Sequence, residues 1–345
     1  MRILYLDSPM LVEGFKALGH EVISAGFHAG NDIMVKQTCD VLSVYNEVCA
    51  KGFVPECVFW CDSSNLPYFM GVENLPCPTA FYSIDTYCHH WHFGFSNAFD
   101  AVFVAQKDHL PLFPVDEIPV LWLPLFARES CQRLEKAERD IPISFVGTRK
   151  HANNPDRELF LREFRRLQPL MVYTGAYSEI FSRSQIVLNQ TACHEVNFRC
   201  FEAMATGAAL LMEYCRHGLE DLFTPGENIL PLYPRNNHVA AAAVAGDALR
   251  KPEKLAAIAH SGKELVHKNH MAKHRAATIV SVLENLIREN AVRRRFVRMG
   301  QRRMLIGAAY AMLGLELEGR LDSSYVEYYY TAVSSIRQRA ESDVG

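Results

Sequence analysis

Length, composition and charge restrict the class of this protein before any motif is considered. The 345 residues suffice for two ordinary domains, and a hydrophobic content of 49% with a mean hydropathy of -0.05 is typical of a globular chain. The formal net charge of -3 gives no reason to expect nucleic acid or an anionic membrane as the general partner. No run reaches the ~18 to 20 apolar residues of a transmembrane segment, and the first residues predict a strand rather than a signal peptide.

Short apolar runs recur through the first third of the chain, separated by helical or loop segments. They are residues 3–6, 22–25, 58–61, 80–83, 101–105 and 119–123. Nearly continuous apolar strands predict a parallel sheet covered on both faces, so residues 1–126 are expected to form a Rossmann-like domain. A crossover helix is predicted over residues 11–18, but the turn before it lacks the G-x-G-x-x-G fingerprint of dinucleotide binding.

A polar and aromatic stretch, SIDTYCHHWHFGF, follows the fourth predicted strand. Ligands collect at the carboxyl ends of strands in open α/β sheets, and an aspartate there supplies a base while histidines supply hydrogen-bond donors. The candidate catalytic residues are Asp85, His89, His90 and His92. A packed aromatic loop is the alternative interpretation. Zinc is disfavoured because ligands so close in sequence cannot all turn to one ion, and no metal site is predicted.

The charged residues 127–141, ARESCQRLEKAERDI, predict a linker, and residues 142–270 predict a second Rossmann-like domain. Its expected strands are residues 142–146, 170–173, 185–188, 208–212 and 229–232, with helices over 155–167 and 177–182. The first of these strands is followed by Gly147, Arg149, Lys150 and Arg157. A glycine turn with cations before a helix predicts a seat for a diphosphate; a basic surface loop is the alternative.

A strand, a polar loop, a helix over residues 195–205 and a second strand follow each other around Gly207, which predicts a βαβ unit. Arg199 and Glu202 are three residues apart, so they share one face of this helix. They could form a solvated ion pair, which stabilises a helix by only ~0.5 kcal/mol or less. Alternatively they could bind a ligand at the anion-attracting helix end.

The pattern N-x-R-x-x-E-A-x-A-x-G, from Asn197 to Gly207, resembles the C-terminal-domain signature of GT-B glycosyltransferases, and in detail the CgeB-like group. The resemblance implies that Glu202 holds the ribose hydroxyls of a nucleotide-sugar donor, because a carboxylate accepts two hydrogen bonds from a cis-diol. His194, Asn197 and Arg199 join the same implied donor site. Many retaining members carry a glutamate eight positions before the ribose-binding one, where this chain has His194. Asp85 and residues 99–107 also resemble the family.

The resemblance implies an α/β GT-B fold in which two Rossmann-like domains face a cleft, with a C-terminal helical extension. It implies a hexosyltransferase that moves sugar from a nucleotide-diphosphate sugar to an unidentified saccharide or protein, with retention of configuration. No D-x-D motif follows a strand, so neither a metal nor another cofactor is expected. The alternatives are a non-catalytic nucleotide-sugar-binding protein that recruits a partner, and a nucleotide-sugar epimerase. Ten cysteines without C-x-x-C spacing are typical of reduced thiols and predict a cytoplasmic location.

The remainder of the chain predicts helices over residues 239–250, 252–261 and 263–288, of which 271–290 are expected to cross back to the first domain. Residues 291–345 form the predicted helical extension. Its first part contains a basic run, Arg293, Arg294, Arg295, Arg298, Arg302 and Arg303. Such a run predicts a solvated face or an anionic docking patch. Residues 308–337 weakly resemble a tetratricopeptide helical pair, and a single repeat cannot bury its own face, so dimerisation or a protein contact is expected.

Overall fold

The computed structural model describes residues 1–64, 68–131, 138–319 and 323–342. The chain divides into two compact units. Unit 1 comprises Met1–Ala105, His109–Leu123 and Arg275–Gly345, and unit 2 comprises Gln106–Asp108 and Pro124–His274. Parts of two predicted segments, residues 132–137 of the linker and 320–322 of the helical pair, lie outside the described residues.

Unit 1 is organised around a parallel sheet. Its strands are β1 (Arg2–Asp7), β2 (Glu21–Gly26), β3 (Ile33–Met34), β4 (Cys39–Asp40), β5 (Cys57–Cys61), β6 (Phe69–Met70), β7 (Thr79–Ser83), β8 (Ala101–Val104) and β9 (Val120–Trp122). Seven of them form one sheet in the order β3-β2-β1-β5-β7-β8-β9, with every neighbouring pair parallel, and β4 pairs with β6 separately. The predicted parallel sheet is confirmed.

The helices of unit 1 cover this sheet and include the C-terminal region. They are α1 (Val12–Ala17), α2 (Val41–Ala50), α3 (Trp91–Phe95), α10 (Ala272–Arg288), α11 (Ala291–Leu317) and α12 (Ser323–Ser342), with 3-10 turns at Pro9–Leu11, Val72–Asn74, Ser96–Ala98 and Lys107–Leu112. Helix α10 starts three residues before the unit boundary. The sequence interpretation missed α2, whose N-terminus is capped by Asp40 through a 2.8 Å bond from the Leu42 amide.

Two arginines of the basic run on α11 are buried, which corrects the predicted solvated face at those positions, whereas Arg293, Arg294 and Arg298 are exposed. Arg295 and Arg302 are only 1% and 5% exposed. Arg295 forms a buried ion pair with the Asp100 carboxylate and donates to the Thr79 hydroxyl at 3.0 Å, while Arg302 lies 3.6 Å from a Glu117 carboxylate oxygen. Buried charges require such partners, because removing an unpaired ion from water is costly. Arg295 therefore fastens α11 to the sheet, and Arg302 holds it to the segment before β9.

Unit 2 contains a four-stranded parallel sheet in the order β11-β10-β12-β13. Its strands are β10 (Ile141–Val146), β11 (Leu170–Tyr173), β12 (Ser184–Asn189) and β13 (Ala209–Met212). Its helices are α4 (Arg157–Leu167), α5 (Ser178–Arg183), α6 (Phe198–Ala205), α7 (Leu219–Leu222), α8 (His238–Leu249) and α9 (Pro252–Asn269), with a 3-10 turn at Glu129–Cys131. No helix among the described residues of either unit is long and apolar enough to cross a membrane.

Two predicted elements of unit 2 were wrong. Residues 229–232 form no regular strand, although the Leu230 amide donates to Leu210 at 2.9 Å. The Tyr233 amide also donates to the Met212 carbonyl at 3.3 Å, so this segment lies beside β13 through isolated bonds rather than a regular ladder. The predicted helix break at residue 262 is also absent, because α9 runs through Gly262. A β-carbon there would lie 2.5 Å from the Asn228 carbonyl oxygen, so this glycine allows close packing rather than ending the helix.

Candidate functional site

Helix α6 starts where β12 ends, and the connection between them is held by two amide side chains. The helix begins at Phe198 rather than at the predicted residue 195, because Asn197 has an extended backbone and occupies the N-cap position. The Asn197 side chain does not cap the helix. Its Oδ1 instead accepts a 3.0 Å bond from Nδ2 of Asn189, the last residue of β12. Asn197 thus fixes the start of α6 against the strand end.

Arg199 lies at the carboxyl ends of β10 and β12. Its Nη1 donates to Asn189 Oδ1 at 2.9 Å, its Nη2 donates to the Val146 carbonyl at 2.7 Å, and its guanidinium lies 4.8 Å from the centre of the Phe145 ring. A β-carbon on Gly147 would be 2.6 Å from Nη2, so only glycine leaves room for the guanidinium. Burial, and then Arg157, lowers the pKa of Arg199. A guanidinium nevertheless stays protonated in proteins, so the strand ends hold a fixed cation.

Arg157 lies beside Arg199 but is occupied by protein groups. It is buried, and it donates from Nε to Gln190 Oε1 at 2.9 Å and from Nη2 to the Gln190 carbonyl at 3.1 Å. Burial lowers its pKa, although the nearby Glu195 raises it. These contacts tie the start of α4 to the segment after β12. Arg157 therefore supports the loops around Arg199 and adds positive charge to them.

The other predicted donor residues are more exposed. Arg149 and Lys150 follow Gly147 on the surface, and the Lys150 Nζ lies 3.6 Å from Glu158. His194 has a positive φ of 61°, and its Nε2 is 2.7 Å from the Tyr214 carbonyl oxygen. Such a backbone conformation costs energy in a residue other than glycine and persists only where the surroundings impose it.

Glu202 is not paired with Arg199 in a solvated helical ion pair. It is buried, and its Oε1 lies 3.9 Å from Nη2 of Arg128, which also donates to the Tyr177 hydroxyl at 3.1 Å. Burial raises the pKa of Glu202, whereas the hydrogen bond from Tyr177 and the charges of Arg128 and Arg199 lower it. The sequence interpretation missed Arg128 and Tyr177. Tyr177 follows β11, so a systematic check of strand ends would have drawn attention to it.

Unit 1 places three aspartates at the carboxyl ends of three neighbouring strands. Asp7 ends β1, Asp62 follows β5, and Asp85 is two residues beyond β7. Asp62 is buried, and its Oδ2 accepts from the backbone amides of Ile84 and Asp85 at 3.1 and 2.9 Å. The sequence interpretation found only Asp85. Asp7 and Asp62 also lie at the carboxyl ends of parallel strands, where ligands collect, but the sequence interpretation considered only the strand before Asp85.

Burial raises the pKa of each of the three carboxyl groups in this cluster. Burial, followed by the nearby charge of Asp62, raises the pKa of Asp85 to about 6, although Tyr87 donates a 2.6 Å hydrogen bond to it. Burial raises the pKa of Asp7 to about 7 against the hydrogen bonds of Ser63. Burial likewise raises the pKa of Asp62. Perturbed carboxyls of this kind concentrate at functional sites.

The structure separates the three predicted histidines. His92 is fully buried; its Nδ1 lies 2.8 Å from the Ser83 hydroxyl, while Nε2 makes no hydrogen bond and lies 3.9 Å from Asp62 Oδ2. Burial lowers the pKa of His92, so its imidazole is neutral at neutral pH. The His89 ring is 5.4 Å from that of His92, whereas His90 is exposed beside Phe93. Asp85, His89 and His92 therefore share one region, and His90 lies outside it.

Among the described residues, no group of three or more histidine, cysteine, aspartate or glutamate side chains is placed to hold a metal ion. We name the two regions for use below. The arginine cluster of unit 2 is Arg128, Arg157, Arg199 and Glu202. The aspartate cluster of unit 1 is Asp7, Asp62, Asp85 and His92.

The two parallel sheets and the helical C-terminal region define the fold of the GT-B glycosyltransferases, as predicted. Residues 128–281 match a family model described as glycosyl transferase-like. A glycosyltransferase from Rickettsia africae superposes with a TM-score of 0.61 at 12% identity, over 83% of this chain and 98% of that one. HepE from Anabaena in complex with UDP-glucose gives 0.61 at 10% identity, over 83% and 100%. Sucrose-phosphate synthase from Thermosynechococcus elongatus gives 0.59 at 10% identity, over 84% and 100%. No curated protein matches the chain by sequence.

Proposed function

We propose that this protein is a glycosyltransferase of the CgeB-like group that uses a nucleotide-diphosphate sugar, bound by the arginine cluster of unit 2. The observation that carries the proposal is the arrangement of Arg199 and Glu202. Both lie in the segment matched by the glycosyl transferase-like family model, yet the guanidinium is directed to the ends of β10 and β12 and the carboxylate is buried beside Arg128. HepE, which shares the fold, has been crystallised with UDP and with UDP-glucose.

Each member of the arginine cluster has a distinct role in this proposal. Arg199, with Gly147 beside it, offsets the charge of the donor diphosphate, and the more exposed Arg149 and Lys150 add to the positive field. Ionised Glu202 accepts hydrogen bonds from both ribose hydroxyls. Because guanidinium groups neutralise the leaving diphosphate, we propose that transfer requires neither a metal nor another cofactor.

The aspartate cluster supplies the acceptor side in this proposal. An acceptor hydroxyl oxygen forms a bond to the anomeric carbon, the bond between that carbon and the diphosphate oxygen breaks, and the hydroxyl proton passes to Asp85. A carboxyl with a pKa of about 6 is suited to this task, since a base works best when its pKa lies near the operating pH. Asp62 and neutral His92 hold the surrounding loop. The family resemblance supports a hexosyl donor and a saccharide or protein acceptor. It also supports retention of configuration, which requires that the acceptor hydroxyl attack the anomeric carbon from the face that the diphosphate leaves.

Donor binding is tested by thermal denaturation of the whole chain with UDP, GDP, ADP and their glucose conjugates. A ligand at about 100 times its dissociation constant adds ~2.7 kcal/mol to the free energy of unfolding, so a true donor shifts the melting temperature by several degrees. Stabilisation by one nucleotide series, lost in Glu202→Ala, is the expected result. Absence of stabilisation by every nucleotide diphosphate contradicts the proposal.

Turnover of the stabilising donor then separates the proposed activity from the two alternatives. A glycosyltransferase releases the nucleoside diphosphate, slowly to water and faster with an acceptor, and does so in the presence of EDTA. An epimerase returns an isomeric nucleotide sugar with no diphosphate released. A binding protein leaves the donor unchanged. The nine cysteines whose side chains are described form no disulfide bond with one another, which supports a cytoplasmic site of action.

A further inference from the structure

Helix α11 is apolar on two faces, of which unit 1 covers one. Its inner face includes Met299, Ile306 and Leu313, which are buried in the core with the sheet and α12. Its outer face exposes Val297, Met304 and Leu315 by 79%, 73% and 64%. Large apolar side chains that are exposed together on one helix face mark an interaction surface. The outer face of α11 therefore lacks its covering among the described residues of this chain.

The outer residues follow the spacing of a coiled-coil seam. Val297, Met304, Ala308, Ala311 and Leu315 fall at intervals of three and four residues when the polar Gln301 is counted between the first two, and α11 extends unbroken from Ala291 to Leu317. Ala311 is half-buried and also packs against the core of unit 1. An apolar seam of average period 3.5 keeps one side of a helix facing another helix. Continued by the same spacing, the seam starts at Arg294 and ends at Glu318, which follows the last helical residue. The partner of this face is thus expected to be a helix.

The seam is complementary to itself when the partner helix runs in the opposite direction. In an antiparallel pair, Val297 faces Leu315 of the second copy and Met304 faces Ala308 of the second copy. Large side chains therefore meet small or branched ones. The same register sets Gln301 against Ala311 of the second copy. It also sets Arg294, which lies 2.9 Å from Glu289 of its own chain, against Glu318 of the second copy. Parallel pairing would instead set arginine against arginine and glutamate against glutamate, which is repulsive.

We propose that the outer face of α11 is a dimerisation surface that takes α11 of a second copy in the antiparallel direction. Such a contact is isologous, because each copy uses the same face and the two-fold axis passes near the middle of the helix. The two α11 helices are already held rigid by unit 1, so pairing them costs less conformational entropy than pairing free peptides. The proposal is independent of the activity of the protein, since neither cluster contributes to the seam.

The first test measures the mass of the whole chain in solution, without ligand, by light scattering and sedimentation over a range of concentrations. The parent protein is expected to be a dimer. Met304→Glu, which places a carboxylate in the middle of the seam against Ala308 of the second copy, should weaken dimerisation by ~100-fold or more, since burying two unpaired carboxylates in one interface is costly. Met34→Glu changes a 49% exposed methionine on β3 and is the matched control, expected to remain dimeric.

Charge exchange tests the direction of pairing. Arg294→Glu and Glu318→Arg should each weaken the dimer, because each creates a like-charge contact at both ends of the seam, and the double variant should recover it. A monomeric parent at every concentration, or a dimer that survives Met304→Glu, overturns the proposal. A dimer sensitive to Met304→Glu but not rescued by the double exchange overturns the antiparallel register.

Discussion

The arginine cluster and the aspartate cluster occupy equivalent positions in two parallel sheets but carry opposite charge. In unit 2 the last residues of β10 and β12 accept hydrogen bonds from the Arg199 guanidinium, whereas in unit 1 an aspartate ends β1 and aspartates follow β5 and β7. The difference teaches that parallel-strand geometry decides where a site lies, and that the residue types at the strand ends decide its chemistry.

Burial acts differently on the two kinds of group. It lowers the pKa of Arg199 without discharging it, so that the arginine cluster presents a permanent cation to an anionic ligand. It raises the pKa of Asp85 to about 6 and of Asp7 to about 7, so that the aspartate cluster exchanges protons near neutral pH. One cluster is therefore suited to binding and the other to proton transfer.

The largest expected effect tests the aspartate cluster. Asp85→Asn removes the proposed base and should lower kcat by ~10²- to 10⁴-fold while leaving the dissociation constant of the nucleotide diphosphate unchanged. Steady-state kinetics together with calorimetry checks both quantities. His90→Asn is the matched control, because His90 belongs to the same predicted stretch but is exposed. Equal activity of the Asp85→Asn variant and the parent would remove Asp85 from the reaction.

A smaller effect is expected in the arginine cluster. Glu202→Ala should weaken donor binding by ~10- to 100-fold, because hydrogen bonds from the ribose hydroxyls to an ionised group are lost. Glu179→Ala on α5, whose side chain is 67% exposed, is the control and should bind normally. Arg199→Ala should weaken nucleotide diphosphates but spare the nucleoside. Calorimetric affinities equal to those of the parent would make Glu202 a purely structural residue.

The third prediction concerns pH, which should affect turnover through the aspartate cluster but not donor binding by the arginine cluster. Asp85 must be ionised to accept a proton, and its pKa is raised to about 6, so kcat should be constant above that pH and fall about tenfold per unit below it. Asp62→Asn removes a neighbouring charge that raises this pKa, so the acidic limb should move to lower pH. The donor affinity of the parent, measured over the same pH range, should not fall at low pH as kcat does. A pH-independent kcat between about pH 5 and 8 contradicts the assignment.

The smallest effect concerns the exposed cations that follow Gly147. Lys150→Ala should weaken donor binding by about twofold, because an exposed charge acts through high dielectric and is screened by salt. Calorimetry at low and high ionic strength should show this difference vanish with salt, while the effect of Arg199→Ala persists. If Lys150→Ala weakens binding as much as Arg199→Ala does, the distinction between half-buried Arg199 and the exposed cations fails.

The sheets could be predicted because their strands are short, nearly continuous apolar runs. Six runs in unit 1 correspond to β1, β2, β5, β7, β8 and β9. The errors have local causes that sequence patterns do not reveal. In the sequence alone Gly262 suggests a helix break, and only the structure shows that the Asn228 carbonyl lies close to it. The two-residue strands β3 and β4 are too short to show a periodic pattern.

The candidate sites were predicted only where a motif or a strand end was explicit. Arg199 and Glu202 belong to a recognisable pattern, but the arginine that approaches Glu202 is Arg128, which lies 74 positions earlier. Long-range partners of this kind follow from tertiary packing and leave no local trace. Arg295 is a second example. Its position in a basic run suggests an exposed side chain, and only the structure shows its buried partner Asp100.

The buried ion pair between Arg295 and Asp100 also has a consequence for the order of events during synthesis. Unit 1 begins first at the ribosome, yet its core needs Arg295, Tyr310 and other residues of the last two helices. Unit 2 is complete once His274 has emerged. We therefore expect the central part of the chain to acquire its native structure before unit 1 does, with Asp100 lacking its counter-ion until Arg295 has emerged.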